Sequence, residues 1–504
     1  MVYTKPSRGC ASCKKRKIKC DEQEPACARC LKSGWVCPGY KDEADLNFRN
    51  QTQLVVRKAQ TRRTDHVWLT KTQWNANHQA GQPQSLPPSV IDRAISFFIH
   101  HFVGRAGESK VPARGYHEYL PALLQESSPN SALATITAAT GLASLANAGN
   151  ASPWTPAAFS LYGKAIKQLR AELQDPVEMK SDKTLAAIML MGIFEAITCP
   201  DRNSLRALSH HIIAAARLIE LRGPDQFQRE VGLRIFLQLR RLIVLHCLQL
   251  HRPMPYAVKK WSTWAEPAQR KDELAANRFS ELNEDLALIR VKIKEEKITS
   301  ALKIHALLSP IDKKLHLWRQ NLPESWMPKS YRSLDLSPAG RADWAAQYDV
   351  FPDLWVASMW NNYHSCRILI NDAILSAILH DDPGIMRKEQ LYSMEILVEM
   401  ANKVCHSVPF YLGYAKNQHG ALEDRSMDEG TAMPGGYLLM WPLYMAGMLR
   451  TTCREQRQWI ASKLHQIGLR LGLRIAMFLA AALELEGTSF SDSELWVSGE
   501  FFPK

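Results

Sequence analysis

Six of the eleven cysteines in this 504-residue chain fall between positions 10 and 37. Cys10, Cys13, Cys20, Cys27, Cys30 and Cys37 are spaced C-x2-C-x6-C, then six residues, then C-x2-C-x6-C again, so the first triplet maps onto the second with a constant offset of 17. A disulfide scaffold would need an oxidising compartment. The stretch Met1 to Gly9 is polar and basic with no apolar core, and it reads as no export signal. Thiolates in C-x2-C pairs instead suit a tetrahedral ion that accepts sulfur, zinc above all. Three thiolates cannot close one tetrahedron. Six can fill the eight positions around two zincs if two of them bridge, and the repeat's symmetry makes the bridging pair equivalent cysteines, one in each half. Two zinc ions and six thiolates leave two negative charges, which the nearby Lys and Arg residues offset. The segment has few apolar residues, so metal should supply most of its folding free energy.

The two inserts within this frame differ in chemistry. Lys14-Lys15-Arg16-Lys17-Ile18-Lys19 is basic at five of six positions, whereas Leu31-Lys32-Ser33-Gly34-Trp35-Val36 is basic at one. Each C-x2-C pair should be followed by one or two helical turns. The first insert should face nucleic acid, and the second should pack and support it. The basic run can also serve as a nuclear localisation signal. Charge agrees with this division. Residues 1–80 hold 16 Lys or Arg against seven Asp or Glu, so nine of the chain's 13 net positive charges sit there. A basic head on a near-neutral body points to a polyanion partner for the head alone.

Residues 10–37 resemble the fungal binuclear zinc cluster of the Zn2Cys6 transcription factors. The basic insert, Pro25 two residues before Cys27, and Arg8-Gly9 before Cys10 all fit that family. The resemblance implies two zinc ions per chain bridged by the first and fourth cysteines, here Cys10 and Cys27. It also implies a first helix that enters the major groove of double-stranded DNA and reads a CGG triplet. Carried over by position, the base-reading residues are Arg16 and Lys17. Arg16 stands where the family often has lysine, and it keeps the capacity for a bidentate bond to the guanine O6/N7 edge. Lys14, Lys15 and Lys19 would serve phosphates, which position without specifying. The implied role is sequence-specific regulation of RNA polymerase II genes in the nucleus. A second stretch, His210 to Pro224, resembles part of the helical fungal-specific transcription factor domain that accompanies such clusters. Cys37-Pro38-Gly39-Tyr40 running into Asp45 to Arg49 resembles their junction.

The expected organisation is a DNA-binding head at 8–40, a polar linker at 41–88 and an all-α regulatory domain at 89–504. The fold class is thus a small binuclear zinc cluster followed by a large all-α domain. The linker admits a short helix near 44–59. Leu46, Leu54 and Val56 do not sustain a heptad pattern, so monomeric and homodimeric binding both stay open. From residue 89 apolar residues recur at helical spacing: Ile91, Ile95, Phe98 and Phe102, then Leu185, Ile188, Met189, Ile193 and Ile197, then Leu205, Leu208, Ile212, Ala215, Leu218 and Leu221, stopped by Gly223-Pro224. Further stripes cover 232–250, 284–308, 354–379, 391–405, 437–449 and 459–485, and strand-like alternation is scarce. No run of about 18 apolar residues reaches the length of a membrane span.

Phosphate-loop, H-E-x-x-H, G-x-S-x-G and G-x-G-x-x-G patterns are absent from the sequence, which argues against an enzyme body. His100-His101 and His210-His211 are adjacent pairs whose side chains diverge on a helix, and they read as packed or surface histidines. Cys199, Cys247, Cys366, Cys405 and Cys453 should pack as small hydrophobes. Met189, Met191, Trp355 and Trp360 read as core, with an effector pocket as the alternative. The body would answer to a small-molecule effector or a coregulator. The stretch 483–504 mixes acidic and aromatic residues, as an activation segment or a packed tail would. Two readings from other classes are a zinc module for RNA or protein and an enzyme with a DNA-binding head.

Overall fold

The computed structural model describes residues 10–38 apart from 17, 22, 24 and 25, then 88–104, 116–149, 152–198, 202–332 apart from 253, 344, 347–381, 386–413, 415–416, 422–423 and 435–486. The proposed linker helix, Cys199 and the acidic-aromatic stretch beyond 486 lie outside the described residues. The chain divides into two compact units, residues 1–80 and 81–504.

Among the described residues the first unit has two short helices, α1 (Ala11–Lys15) and α2 (Ala28–Lys32). Each begins inside a C-x2-C pair rather than after it, so Cys13 and Cys30 belong to the helices themselves. The buried cluster of this unit consists of Cys10, Cys13, Cys27 and Cys30, with Cys20 and Cys37 packed against it.

The second unit is helical: α3 (Pro88–Phe102), α4 (Leu120–Gln125), α5 (Ala132–Ala148), α6 (Thr155–Glu172), α7 (Asp182–Thr198), α8 (Arg202–Arg222), α9 (Glu230–Leu250), α10 (Tyr256–Ala265), α11 (Leu274–Glu295), α12 (Ala301–Gln320), α13 (Leu354–His380), α14 (Arg387–Tyr411), α15 (Gly436–Met448), α16 (Arg454–Leu471) and α17 (Arg474–Glu486). Two antiparallel pairs interrupt it, β1 (Lys329–Arg332) with β2 (Gln347–Val350) and β3 (Ala415–Lys416) with β4 (Leu422–Glu423). Helices α5 and α7 are apolar nearly all round and therefore sit inside. α5 packs on α3, α6, α7 and α16, and α7 packs on α8, α9 and α17. The small residues of α5 let these neighbours approach. Two of its buried hydroxyls are satisfied within the helix, Thr137 Oγ1 donating to the Leu133 carbonyl at 2.8 Å and Thr140 Oγ1 to Ile136 at 2.7 Å, while Ser144 Oγ donates to the Leu471 carbonyl on α16. α13 plays the corresponding part among α12, α14 and α15. Ser131 and Asp353 cap α5 and α13 with side-chain oxygens that accept the third N–H on.

A buried ion pair ties three helices together. Arg367 on α13 donates to both oxygens of Asp312 on α12, at 2.9 and 2.8 Å. Asn371 and the Tyr392 hydroxyl, on α13 and α14, each donate to the same carboxylate at 3.1 Å. Because every acceptor lobe is used, the pair tolerates its burial.

Several expectations need correction. The stripe at 459–485 is two helices, because Gly472 ends α16 in the left-handed region (φ +64°) and a Cβ there would lie 2.0 Å from the Ser144 carbonyl oxygen. The stripe at 284–308 also breaks. Lys297 turns left-handed (φ +49°), and Asp381 Oδ2 accepts the Ala301 N–H at 2.7 Å to start α12. The β1–β2 pair was unanticipated; it is anchored by buried Asp349, which accepts from Ser330 Oγ at 2.5 Å and Lys403 Nζ at 3.2 Å. Cys453 is exposed rather than packed, and its sulfur caps α16 by accepting the Gln456 N–H at 3.5 Å. Cys247, Cys366 and Cys405 are buried as expected.

His117, left-handed at φ +58°, sits in a ring of hydrogen bonds with Tyr119 and Gln238. The Gln238 amide donates to His117 Nε2 at 2.8 Å, and the Tyr119 hydroxyl donates to Gln238 Oε1 at 3.1 Å. His117 Nε2 must therefore be unprotonated, and Nδ1 carries the hydrogen toward Tyr119. Burial pushes this histidine down to about 3, with Arg241 adding to the effect. The unfolded chain then binds the proton first, so this contribution to stability is full above about pH 6.5 and declines as the pH falls toward 3. We expect the thermal midpoint to fall between pH 7 and 4, and His117→Asn, which tolerates the left-handed backbone, to make that fall shallower; equal slopes in both chains would refute the assignment. Asp312→Ala should cost about 3–5 kcal/mol in denaturant unfolding, since it strands the Arg367 charge.

Candidate metal centre and nucleic-acid interface

The cysteine repeat folds so that each half begins the same way. Cys10 precedes α1 and its sulfur accepts the Cys13 N–H at 3.4 Å; Cys27 precedes α2 and its sulfur accepts the Cys30 N–H at 3.3 Å. Asp21 Oδ2 takes the Ala28 N–H at 3.0 Å, completing the start of α2. The offset of 17 residues thus becomes a pseudo-twofold arrangement with Cys10 and Cys27 at its centre.

The sulfur geometry fits two metals. Cys10, Cys13, Cys20 and Cys27 form one group and Cys10, Cys27, Cys30 and Cys37 the other, each with all sulfurs within 4.8 Å of one another. The Cys10–Cys27, Cys10–Cys30 and Cys13–Cys27 sulfurs are each 3.7 Å apart. A tetrahedron of zinc–sulfur bonds of about 2.3 Å has edges of about 3.8 Å. The two groups therefore match two zinc tetrahedra that share the Cys10–Cys27 edge, and the six cysteines can hold two zinc ions. Among the described residues these are the groups of three or more candidate ligand atoms close enough to share a metal.

Without metal, burial pushes the Cys13 thiol up to about 12, with contacts to Cys10, Cys20 and Cys30 adding to the rise and the contact to Cys27 opposing it. Burial likewise raises Cys27 and Cys30. At neutral pH such thiols carry protons that zinc must displace.

The basic insert runs out of this frame. Lys15, Arg16 and Lys19 are exposed, and Lys14 lies on α1. Lys17 lies outside the described residues. The second insert departs from expectation: Leu31, Trp35 and Val36 are 65, 55 and 89% exposed, so it does not pack inward. The thiol frame, rather than an apolar core, holds the unit. The Arg16 guanidinium instead lies 5.0 Å from the centroid of the Trp35 ring, joining the two inserts. Sequence reasoning passed over Trp35. The signal available was a lone aromatic following Gly34 in a polar turn.

In the second unit Phe102, Tyr116, His117, Gln238 and Arg241 line a cavity of about 30 Å³. That volume holds roughly two waters and falls well short of a drug-sized site. Met189 lines it, while Met191 and Trp360 are buried in the core.

Zinc added to the metal-free chain in weak buffer should release protons, and its affinity should drop as the pH is lowered from 8 to 6. Uptake without proton release, or independent of pH, would show that thiols of this kind are not the ligands.

Comparison with known proteins agrees with these observations. Residues 8–46 match the fungal Zn(2)-Cys(6) binuclear cluster domain, and residues 97–267 match the fungal specific transcription factor domain. Transcription factor dbaG of Emericella nidulans is 24% identical over 436 residues, covering 82% of this chain and 96% of that protein. White-opaque regulator 2 of Candida albicans is 44% identical over 53 residues, 10% of this chain and 12% of its own length. Sterol uptake control protein 2 of the same organism is 46% identical over 48 residues, 10% of this chain and 7% of its own. No solved structure matches. The two halves of one cysteine repeat, the geometry of a shared sulfur edge and these matches identify residues 8–46 as similar to the fungal Zn(2)-Cys(6) binuclear cluster domain and residues 97–267 as similar to the fungal specific transcription factor domain.

Proposed function

We propose that this chain is a nuclear, zinc-dependent regulator that binds double-stranded DNA at CGG-type triplets and controls RNA polymerase II genes. The observation that carries the reading is an exposed basic insert fixed at both ends by sulfurs of a two-metal frame. Cys10, Cys13, Cys20 and Cys27 hold one zinc and Cys10, Cys27, Cys30 and Cys37 the other. Bound zinc supplies the rigidity that so small a unit lacks. α1 lies in the major groove, where Arg16 and Lys17 read guanine edges and Lys14, Lys15 and Lys19 meet phosphates. In this reading 8–40 is the DNA-binding domain, 41–88 a linker and 89–504 a regulatory domain that answers to an effector or a coregulator. The helical count and the family match of the second unit support that role. A small effector seated in the cavity beside His117 would have to widen it. The chain binds as a monomer or as a homodimer, and half-site spacing distinguishes the two.

Selection from random duplexes with the full chain tests the reading: a CGG triplet should be enriched, and enrichment of no sequence, or of sequences without that triplet, would overturn it. Raising salt from 50 to 200 mM should weaken binding about a hundred-fold for some four phosphate contacts. Cys27→Ala should lower the zinc content by two ions per chain. Lys17→Ala should keep both zincs and cost about 1–3 kcal/mol of discrimination at one base pair.

A further inference from the structure

The position of Trp35 follows from backbone geometry. At the end of α2 the Trp35 N–H bonds to the Cys30 carbonyl at 3.0 Å and the Gly34 N–H to the Leu31 carbonyl at 3.2 Å, with Gly34 left-handed at φ +67°. This paired 6→1 and 5→2 pattern is the Schellman motif, and Gly34 occupies the site that disfavours any Cβ. The residue after the glycine usually turns back onto its own helix to make an apolar contact. Trp35 is more than half exposed, and its ring lies under the guanidinium of Arg16 from the other half of the repeat. Arg16 follows α1 directly, and its N–H bonds to the Ser12 carbonyl at 3.1 Å.

An exposed arginine has several rotatable bonds and loses their freedom when it makes a bidentate bond. A cation over an indole face is held by the ring's electron-rich surface, and a planar guanidinium is restrained in direction as well. The ring face leaves the guanidinium's in-plane N–H donors available for a base edge. We infer that Trp35 is a positioning residue for DNA reading: it pre-orients the Arg16 guanidinium, so that specificity at one base pair depends on a residue outside the basic insert. This rests on Arg16 acting as a base reader, as proposed above. It also gives the second half of the repeat a task that its lack of charge concealed.

The test uses the full zinc-loaded chain, the duplex enriched by selection and its single-base-pair variants. Arg16→Ala first identifies the base pair that Arg16 reads. Trp35→Ala should keep two zincs per chain and lower discrimination at that same base pair about 2–5-fold. Trp35→Phe should restore most of it, and Trp35→Ala should add nothing further in an Arg16→Ala chain. If Trp35→Ala weakens every duplex alike, loses zinc, or adds fully to Arg16→Ala, the ring does not position Arg16. If Arg16→Ala changes no single base pair, the assignment of Arg16 as a reader fails instead, and the positioning role falls with it.

Discussion

The shared Cys10–Cys27 edge is the constraint on which the first unit depends. Among the described residues its buried cluster is made of cysteines, and the two helices around it are five residues each, far too short to persist alone. The exposed residues described in this unit, such as Lys15, Arg16, Trp35 and Val36, are placed relative to these two sulfurs. The second unit is built on the opposite logic. Its helices close around a continuous apolar core, and networks such as Asp312–Arg367–Asn371–Tyr392 satisfy polar groups that are brought inside it.

This difference explains what the sequence makes legible. The cysteine repeat encodes the two four-sulfur groups almost completely, because ligand type and spacing dictate coordination. Which equivalent pair lies at the centre came from resemblance, and the sulfur distances agree with it. The helical character of the body was readable from apolar spacing, and the stop at Gly223-Pro224 from turn chemistry. The breaks at Lys297 and Gly472 were not. An apolar stripe continues through both, and what interrupts it is a partner distant in sequence: Asp381 at the start of α12 and the Ser144 carbonyl against Gly472.

The site was only half legible for a related reason. Charge sets Lys14 to Lys19 apart as a basic run, and charge is visible in a list of residues. The pairing of Arg16 with Trp35 depends on a left-handed turn and on two halves of a repeat meeting in space, neither of which spacing alone specifies. Trp35, Leu31 and Val36 were expected to pack because they are apolar. They stay exposed because the frame that holds them needs no apolar filling.

The scarcity of buried carbon in the first unit has a consequence for the whole protein. Where metal supplies the folding free energy, the folded fraction is a mass-action quantity set by free zinc. Where both ions are required for folding, the folded head at limiting zinc varies with about the second power of zinc activity. The regulator's working concentration would therefore be a property of the cell's zinc buffer as well as of its own expression, while the helical body, folded by its apolar core, would be indifferent to that variable.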